Sequence, residues 1–410
     1  MTGQPPKLII LCQLFYPELI STGQTVTELA EALVAQGVDL EVVAGPPTVM
    51  DRRTKIPRRM TLNGIRIFRV WGTRFPKLSL VGKLVNHMTY TMSVFLNLMT
   101  RKIDRPVLVF TNPPFVVGAC ALASIFRPIR MIYVIFDVYP DTAVQAGVLN
   151  PQSLTTRLWH RFNAFCFSRS EKIVVIGRCM ERVIRARLPM ASHPKLVRMH
   201  VWADEAGIQQ NPTGSYREKW GIADQFVLGY SGNLGRFHDI DTIIAAAAAL
   251  HDRSAKFVFV GEGYSKAGAQ ALVAQEQLDN VQFHSYVPRE DLGAVLSAFD
   301  IGLVALKKGQ EGLSVPSKTF GIMAAGKPII GIMAADSEVG LIIRETGCGW
   351  VVEPGDVAGL VLVIRTAMSL SRDELAAMGE CGRRASMEKY TVGHAAKAVM
   401  GFCEVSFVKN

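Results

Sequence analysis

The feature that most constrains this chain is an alternation, made twice over, of short β-branched runs with longer segments of helical periodicity. In the first half the strand-like runs are 7–12 (KLIILC), 39–44 (DLEVVA), 65–70 (IRIFRV), 107–110 (VLVF), 131–136 (MIYVIF) and 172–176 (KIVVI). Between the first two, Thr25–Gln36 places Val26, Leu29, Ala30, Leu33 and Val34 on one helical face, and Gly37 follows as a stop. The pattern restarts at 226–230 (FVLGY), 256–260 (KFVFV), 281–284 (VQFH), 301–305 (IGLVA) and 328–332 (PIIGI). Helical patterns over 239–252, 265–277, 289–298 and 317–325 separate these runs. Strands that alternate with helices in this way belong to parallel sheets covered by helices.

The 410 residues are long for one core and suit two α/β domains. The expected architecture is two facing Rossmann-like domains with a cleft between them. The first spans 1–205, a linker 206–221 contains Asn211-Pro212-Thr213-Gly214, and the second spans 222–385. Residues 386–410 read as a helix that packs back on the first domain. The chain carries +10 net charge, which suits an anionic partner: nucleotide phosphates, a lipid diphosphate, a bilayer surface or nucleic acid. The basic residues form no long run interleaved with aromatics, so nucleic acid is disfavoured. Seven scattered cysteines without a CxxC fit buried thiols in a reducing cytosol rather than a zinc site or disulfides. No apolar run approaches the roughly 18 residues of a spanning helix.

Four loops follow predicted strands, where open parallel sheets place ligands. In Tyr16–Thr25, Gly23 permits close backbone approach before a helix start. An ordinary connection capped by Ser21 or Thr25 reads equally well. In Gly229–Asp241, Gly232 and Asn233 give small, polar backbone for a diphosphate, and Arg236 supplies a donor. Asp239-Ile240-Asp241 spells DxD, but at a helix start it reads as a cap rather than a metal site. Gly261-Glu262-Gly263 reads as a tight turn or as a loop passing a nucleotide base. In Glu311–Pro328, Ser314 and Ser317 with the following helix start would cradle phosphates, and Lys318 would neutralise them. Glu311 would accept from sugar hydroxyls; the bland alternative is a capped helix with a solvated Glu.

Taken in order, these segments resemble glycosyltransferase family 4, a GT-B family of retaining enzymes, in the branch that builds lipid-linked surface polysaccharides. Tyr16-Pro17-Glu18 with Gly23, Thr111-Asn112-Pro113-Pro114, Phe136–Asp141 and Tyr230–Gly235 carry the resemblance. So do Ser314–Lys318 and Gly347–Val352, and together they cover nearly the whole chain. The resemblance implies retaining transfer from a nucleotide sugar to a polyprenyl-diphosphate-linked glycan, with no cofactor and no metal. Asp137 is then the candidate acceptor-side base or orienting group, and Glu311 the second catalytic candidate. A loop carboxylate that turns the chain with Pro140 is the alternative for Asp137.

Two places depart from the family pattern. Asn233 and His238 stand where relatives carry a diphosphate-binding Arg and Lys, and Gly321 stands where the second Glu of Glu-x7-Glu binds the ribose. These departures motivate a rival reading, a non-catalytic GT-B binding or scaffold protein; a nucleotide-sugar epimerase is the third. Phe75–Met88, with Lys77 and Lys83, followed by Thr89–Thr100 and Arg101, is amphipathic. It reads either as a surface for the anionic cytoplasmic face of a membrane or as a core-packed helix with its basic residues solvated.

Overall fold

A computed structural model of the chain describes residues 5–18, 22–48, 56–75, 80–203, 208, 215–250 and 255–404. The chain divides into two units. One comprises residues up to Met199 together with those from Val392 onward, the other His200–Thr391.

In the first unit the strands are β1 (Lys7–Cys12), β2 (Asp39–Ala44), β3 (Arg59–Leu62), β4 (Ile65–Arg69), β5 (Val107–Phe110), β6 (Met131–Ile135), β7 (Lys172–Val175) and β8 (Leu196–Arg198). They form one sheet in the order β3-β4-β2-β1-β5-β6-β7-β8, parallel throughout except for the β3/β4 edge pair. β5 and β6 are buried at every residue, as strands covered on both faces must be. β3 and β8 were not anticipated. β3 has no buried residue and β8 has three residues in all, so neither leaves an apolar run. A local signal for β3 was nonetheless present: Asn63-Gly64, both at positive φ, is a two-residue hairpin turn.

The first helix, Thr22–Ala35, begins a turn earlier than expected, so Thr25 lies inside it rather than capping it; Ser21 is outside the described residues. The helix Val392–Glu404 lies against it, with Gln36 Nε2 donating to Gly393 O at 3.2 Å. The amphipathic stretch after Ser79 is one helix, Leu80–Thr100, that buries Tyr90, Val94 and Leu98. Arg101, expected in solvent, instead makes a two-point ion pair with Glu41; Lys77 lies outside the described residues.

The second unit holds β9 (Phe226–Ser231), β10 (Ala255–Val260), β11 (Val281–His284), β12 (Ile301–Ala305), β13 (Ile329–Ile332) and β14 (Gly349–Val352). Their order is β11-β10-β9-β12-β13-β14, all parallel. Leu228, Tyr230, Phe257, Phe259, Leu303 and Ile330 lie in its core. The expected 206–221 linker lies partly outside the described residues. Its end, Ser215–Lys219, is helical and held in this unit by Tyr216 Oη donating to Asp291 at 2.7 Å. The 289–298 helix is a 3-10 turn, Arg289–Asp291, followed by Leu292–Ser297.

In each sheet the strand order reverses direction once, beside β1 and beside β9. The crevice at such a switch point opens at the strands' carboxyl ends and is where doubly wound sheets bind ligands. In the second unit it is bounded by the loops after β9 and β12, tied together by Lys307 N donating to Phe237 O at 2.8 Å.

The short helix Lys318–Ala324 sits close on β12 because Gly302 has no side chain: a Cβ there would lie 2.5 Å from Ile322 Cγ2. Gly302→Ala is expected to destabilise this unit by about 1–3 kcal/mol in urea unfolding. Adding Ile322→Ala removes the clash, so the double variant should lose less than the sum of the two single losses. Strictly additive losses would show that the contact does not set the helix position.

Candidate functional site

The site in the second unit begins at the end of β9. Gly232 (φ +122) turns the chain out of the sheet, and its N–H donates to Val260 O at 2.8 Å. The loop after β10 passes against it so closely that a Cβ on Gly261 would lie 2.1 Å from Gly232 O. One on Gly263 would lie 2.4 Å from Leu234 O and 2.6 Å from Asn233 Oδ1. Both glycines have φ near +150, so glycine is required twice over, by conformation and by space. Leu234 N donating to Glu262 O and Ser265 N donating to Leu234 O, both at 2.9 Å, fasten the two loops.

Beneath them Tyr230 is fully buried, its hydroxyl 3.0 Å from Asn233 O and 2.8 Å from His238 Nδ1. Gly235 N–H also donates to that Nδ1 at 3.0 Å, which makes Nδ1 an acceptor and the ring neutral. Burial first, and then the charge of Lys318, push His238 down to about 3. His238 is therefore a structural pin and supplies no charge.

Lys318 supplies it instead. Its Nζ lies 3.5 Å from the centre of the Tyr230 ring and 3.4 Å from Asn233 O, and its Cε would be 3.5 Å from a Cβ on Gly232. Among the described residues no carboxylate lies within ion-pair distance of it. Burial holds its pKa well below that of a free lysine. Lys318 opens its helix from the position after Ser317, whose exposed side chain makes no cap hydrogen bond. Arg236 stands apart from this group, exposed and stacked on Tyr264 with Cζ 3.5 Å from the ring centre.

Glu311 and Ser314 pair through a backbone bridge and line a small recess with Ser337 and Glu338. Glu338, 5% exposed, escaped sequence reading; its only signal was the Ser-Glu start of the helix Glu338–Thr346. Gly321 is half-buried on the site helix, and a Cβ there would make ordinary 3.8 Å contacts with Ile208 and Leu296. Asp239 is the cap expected of it: it accepts from Thr242 N at 3.4 Å and from Gly355 N at 3.1 Å. Asp241 faces solvent, 3.7 Å from Lys307. Among the described residues no three potential metal ligands gather.

In the first unit the corresponding loops follow β1, β5 and β6. Gly23 lies in the first turn of its helix, where a Cβ would be 2.5 Å from Glu18 O. Arg69, 5% exposed and missed in the sequence, donates to Gly45 O at 3.0 Å and to Tyr16 O, and so ties the loop after β1 to the loop after β2. Asn112 Nδ2 donates to Thr22 Oγ1 at 3.3 Å. Thr111 Oγ1 accepts from the N–H groups of Phe136 and Asp137 at 3.2 and 3.4 Å. Asp137 thus joins the switch-point loops. It is not a helix cap, since Pro140 holds the N-cap position of Asp141–Gln145. Burial raises its carboxyl from the ordinary 3.8 to about 6.

Comparison with known proteins places this geometry. The family model for glycosyl transferases group 1 matches residues 213–385, and that for the glycosyl transferase 4-like domain matches 22–202. A protein of Pseudomonas aeruginosa named "Probable glycosyltransferase WbjE" is 30% identical over 307 residues, 74% of each chain. "Putative colanic acid biosynthesis glycosyl transferase WcaI" of Escherichia coli K12 is 24% identical over 382 residues, 89% of this chain and 93% of that one. Sucrose-phosphate synthase of Thermosynechococcus elongatus superposes with a TM-score of 0.76 at 15% identity, covering 99% and 100% of the two chains. Anabaena HepE, solved with UDP and glucose, gives 0.71 at 13% identity, covering 97% and 98%. The chain has the GT-B fold and belongs to the family 4, group 1 glycosyltransferases.

Proposed function

We propose that this glycosyltransferase moves a sugar, with retention and without a metal, from a nucleoside-diphosphate sugar to a lipid-linked glycan in surface polysaccharide synthesis. The observation that carries the reading is Lys318: a half-buried ammonium seated on an aromatic face, with no carboxylate partner among the described residues, at the second unit's switch point. Such a group lacks a counter-charge until an anion arrives, and turned, small-residue backbone such as that at Gly232 and Asn233 suits a diphosphate. The names of WbjE and WcaI, and the UDP and glucose in HepE, support the substrate classes.

In this reading the diphosphate is the leaving group, and Lys318 offsets the charge that grows on it as the anomeric C–O bond breaks. Arg236 meets the donor at the rim, while Ser314 and Ser317 donate to phosphate and Glu311 accepts from a donor hydroxyl. Asp137 takes, or orients, the proton of the acceptor hydroxyl. Gly321 favours a second reading, a donor-binding protein without turnover; release of nucleoside diphosphate in the presence of acceptor separates the two.

The acceptor's lipid implies a membrane surface. Val81, Leu84, Met88, Met92 and Leu96 form an exposed stripe at helical spacing along Leu80–Thr100. The neighbouring helix Val116–Phe126 exposes Ile125 and Phe126, and the next, Leu154–Arg169, exposes Leu154 and Leu158 alongside Arg157 and Arg161. An apolar face flanked by arginines suits an anionic bilayer on the cytoplasmic side. Among the described residues no helix is long and apolar enough to cross one.

Lys318→Ala is expected to weaken nucleoside-diphosphate binding roughly 30- to 150-fold by titration calorimetry, the loss of a charge-assisted contact of about 2–3 kcal/mol. Arg236→Ala should cost less, and an unchanged affinity in Lys318→Ala would remove the diphosphate from this site.

Because the folded-state pKa of Asp137 lies above 3.8, its ionisation costs stability as pH rises through about 6. Asp137→Asn should therefore melt higher at neutral pH, by up to about 3 kcal/mol, with the gain vanishing below about pH 4. Turnover should fall on the order of 10²- to 10⁴-fold if the group is a base. A variant both less stable and fully active would contradict this assignment.

Met88→Glu with Met92→Glu should abolish co-sedimentation with phosphatidylglycerol vesicles while leaving hydrolysis of the donor intact. Sedimentation equal to that of the unmodified chain would rule out this face.

A further inference from the structure

A sizeable cavity lies away from both switch points. It measures about 520 Å³, the size of a small-molecule site, and is formed in the first unit by the β3–β4 hairpin, β2 and the end of the helix Leu80–Thr100. Register explains its lining. Glu41 pairs with Arg66 and Arg66 with Thr61, while Phe68 pairs with Arg59, so these five side chains share one sheet face. The opposite face carries Ile65 and Ile67, both buried. From the helix, Asn97 and Arg101 complete the wall.

Three guanidinium groups therefore face the cavity against one carboxylate, Glu41. Arg101 spends two donors on Glu41, and Arg66, with half its side chain exposed, reaches Asp39. Arg59 is exposed, its one recorded contact the Phe68 ring at 5.5 Å, with no ion pair or hydrogen bond among the described residues. Each guanidinium has five N–H donors, so most of the cavity's donors are unspent. Thr61 and Phe68 stand on the same sheet face beside these donors.

We propose that this cavity is a second binding site, for a sugar carrying a phosphate group. The phosphate sits among Arg59, Arg66 and Arg101, whose planar forks match its oxygens. The apolar face of the sugar ring lies along Phe68. The site shares no residue with the donor loops, and it is independent of the acceptor proposed above. The ligand is either a soluble sugar phosphate or the same group on a lipid.

The test uses the full chain and calorimetric titration with glucose 6-phosphate, inorganic phosphate and glucose. Glucose 6-phosphate is expected to bind more tightly than phosphate, with no binding of glucose. Arg59→Ala with Arg66→Ala, and separately Thr61→Glu, should weaken it at least about tenfold, while Lys318→Ala leaves it unchanged. Phosphatidylcholine vesicles with and without phosphatidylinositol 4-phosphate distinguish the sources. Capture that depends on the inositol phosphate and on Arg59 and Arg66 supports a lipid-borne sugar. Binding of glucose 6-phosphate without capture supports a soluble one. No binding in either arm overturns the proposal, and so does binding that survives both cavity variants or is lost only in Lys318→Ala.

Discussion

Everything at the second unit's site depends on backbone approaching backbone. The loops after β9 and β10 cross at Gly232, Gly261 and Gly263, at separations no side chain would allow. That crossing roofs Tyr230, whose ring then becomes the seat for Lys318. Substituting Gly261 or Gly263 would push the loops apart and alter the distance between cation and carbonyls together. The small residues are thus part of the electrostatics: they decide how near a phosphate can come to the main-chain N–H groups.

A half-buried ammonium without a carboxylate is costly unless something offsets it. Two devices do so here. The Tyr230 ring offers its negative face, and the Asn233 carbonyl lies 3.4 Å away. His238 contributes by staying neutral, because Gly235 N–H occupies the nitrogen that a second positive charge would need to protonate. A protonated imidazole there would repel Lys318 and break the turn. The site therefore carries one well-placed charge, kept ready for a ligand by the neutrality of its neighbours.

Much of this was legible in the sequence, for identifiable reasons. Most strands with unbroken apolar runs were placed within a residue or two, because burial on both faces leaves no other pattern; the partly buried β14 was not. β3 was not, since an edge strand with no buried residue leaves only the Asn63-Gly64 turn as a mark. Lys318 and Gly232 were legible as site candidates, but their contact was not: 85 residues separate Lys318 from Asn233. Arg69 was invisible for the same reason. An arginine on an alternating strand reads as solvent-facing, yet here it is buried to bind two carbonyls from different loops.

The departures at Asn233, His238 and Gly321 then take on a common sense. An arginine and a lysine in the β9 loop would put two charges on a segment that here is held by a neutral hydrogen-bond pin. Lys318 delivers the charge from the other side of the same crevice, on a different helix. The cation of this crevice thus comes from a helix start and not from the β9 loop. Gly321 belongs to the same helix, one turn beyond Lys318, and faces Ile208 and Leu296 across contact distance. A side chain there would pack on those two apolar residues, so glycine gives up that contact and about 0.5–1 kcal/mol of helix stability. The glycine crossing at Gly261 and Gly263 and the seat of Lys318 on Tyr230 are set by other residues than Gly321.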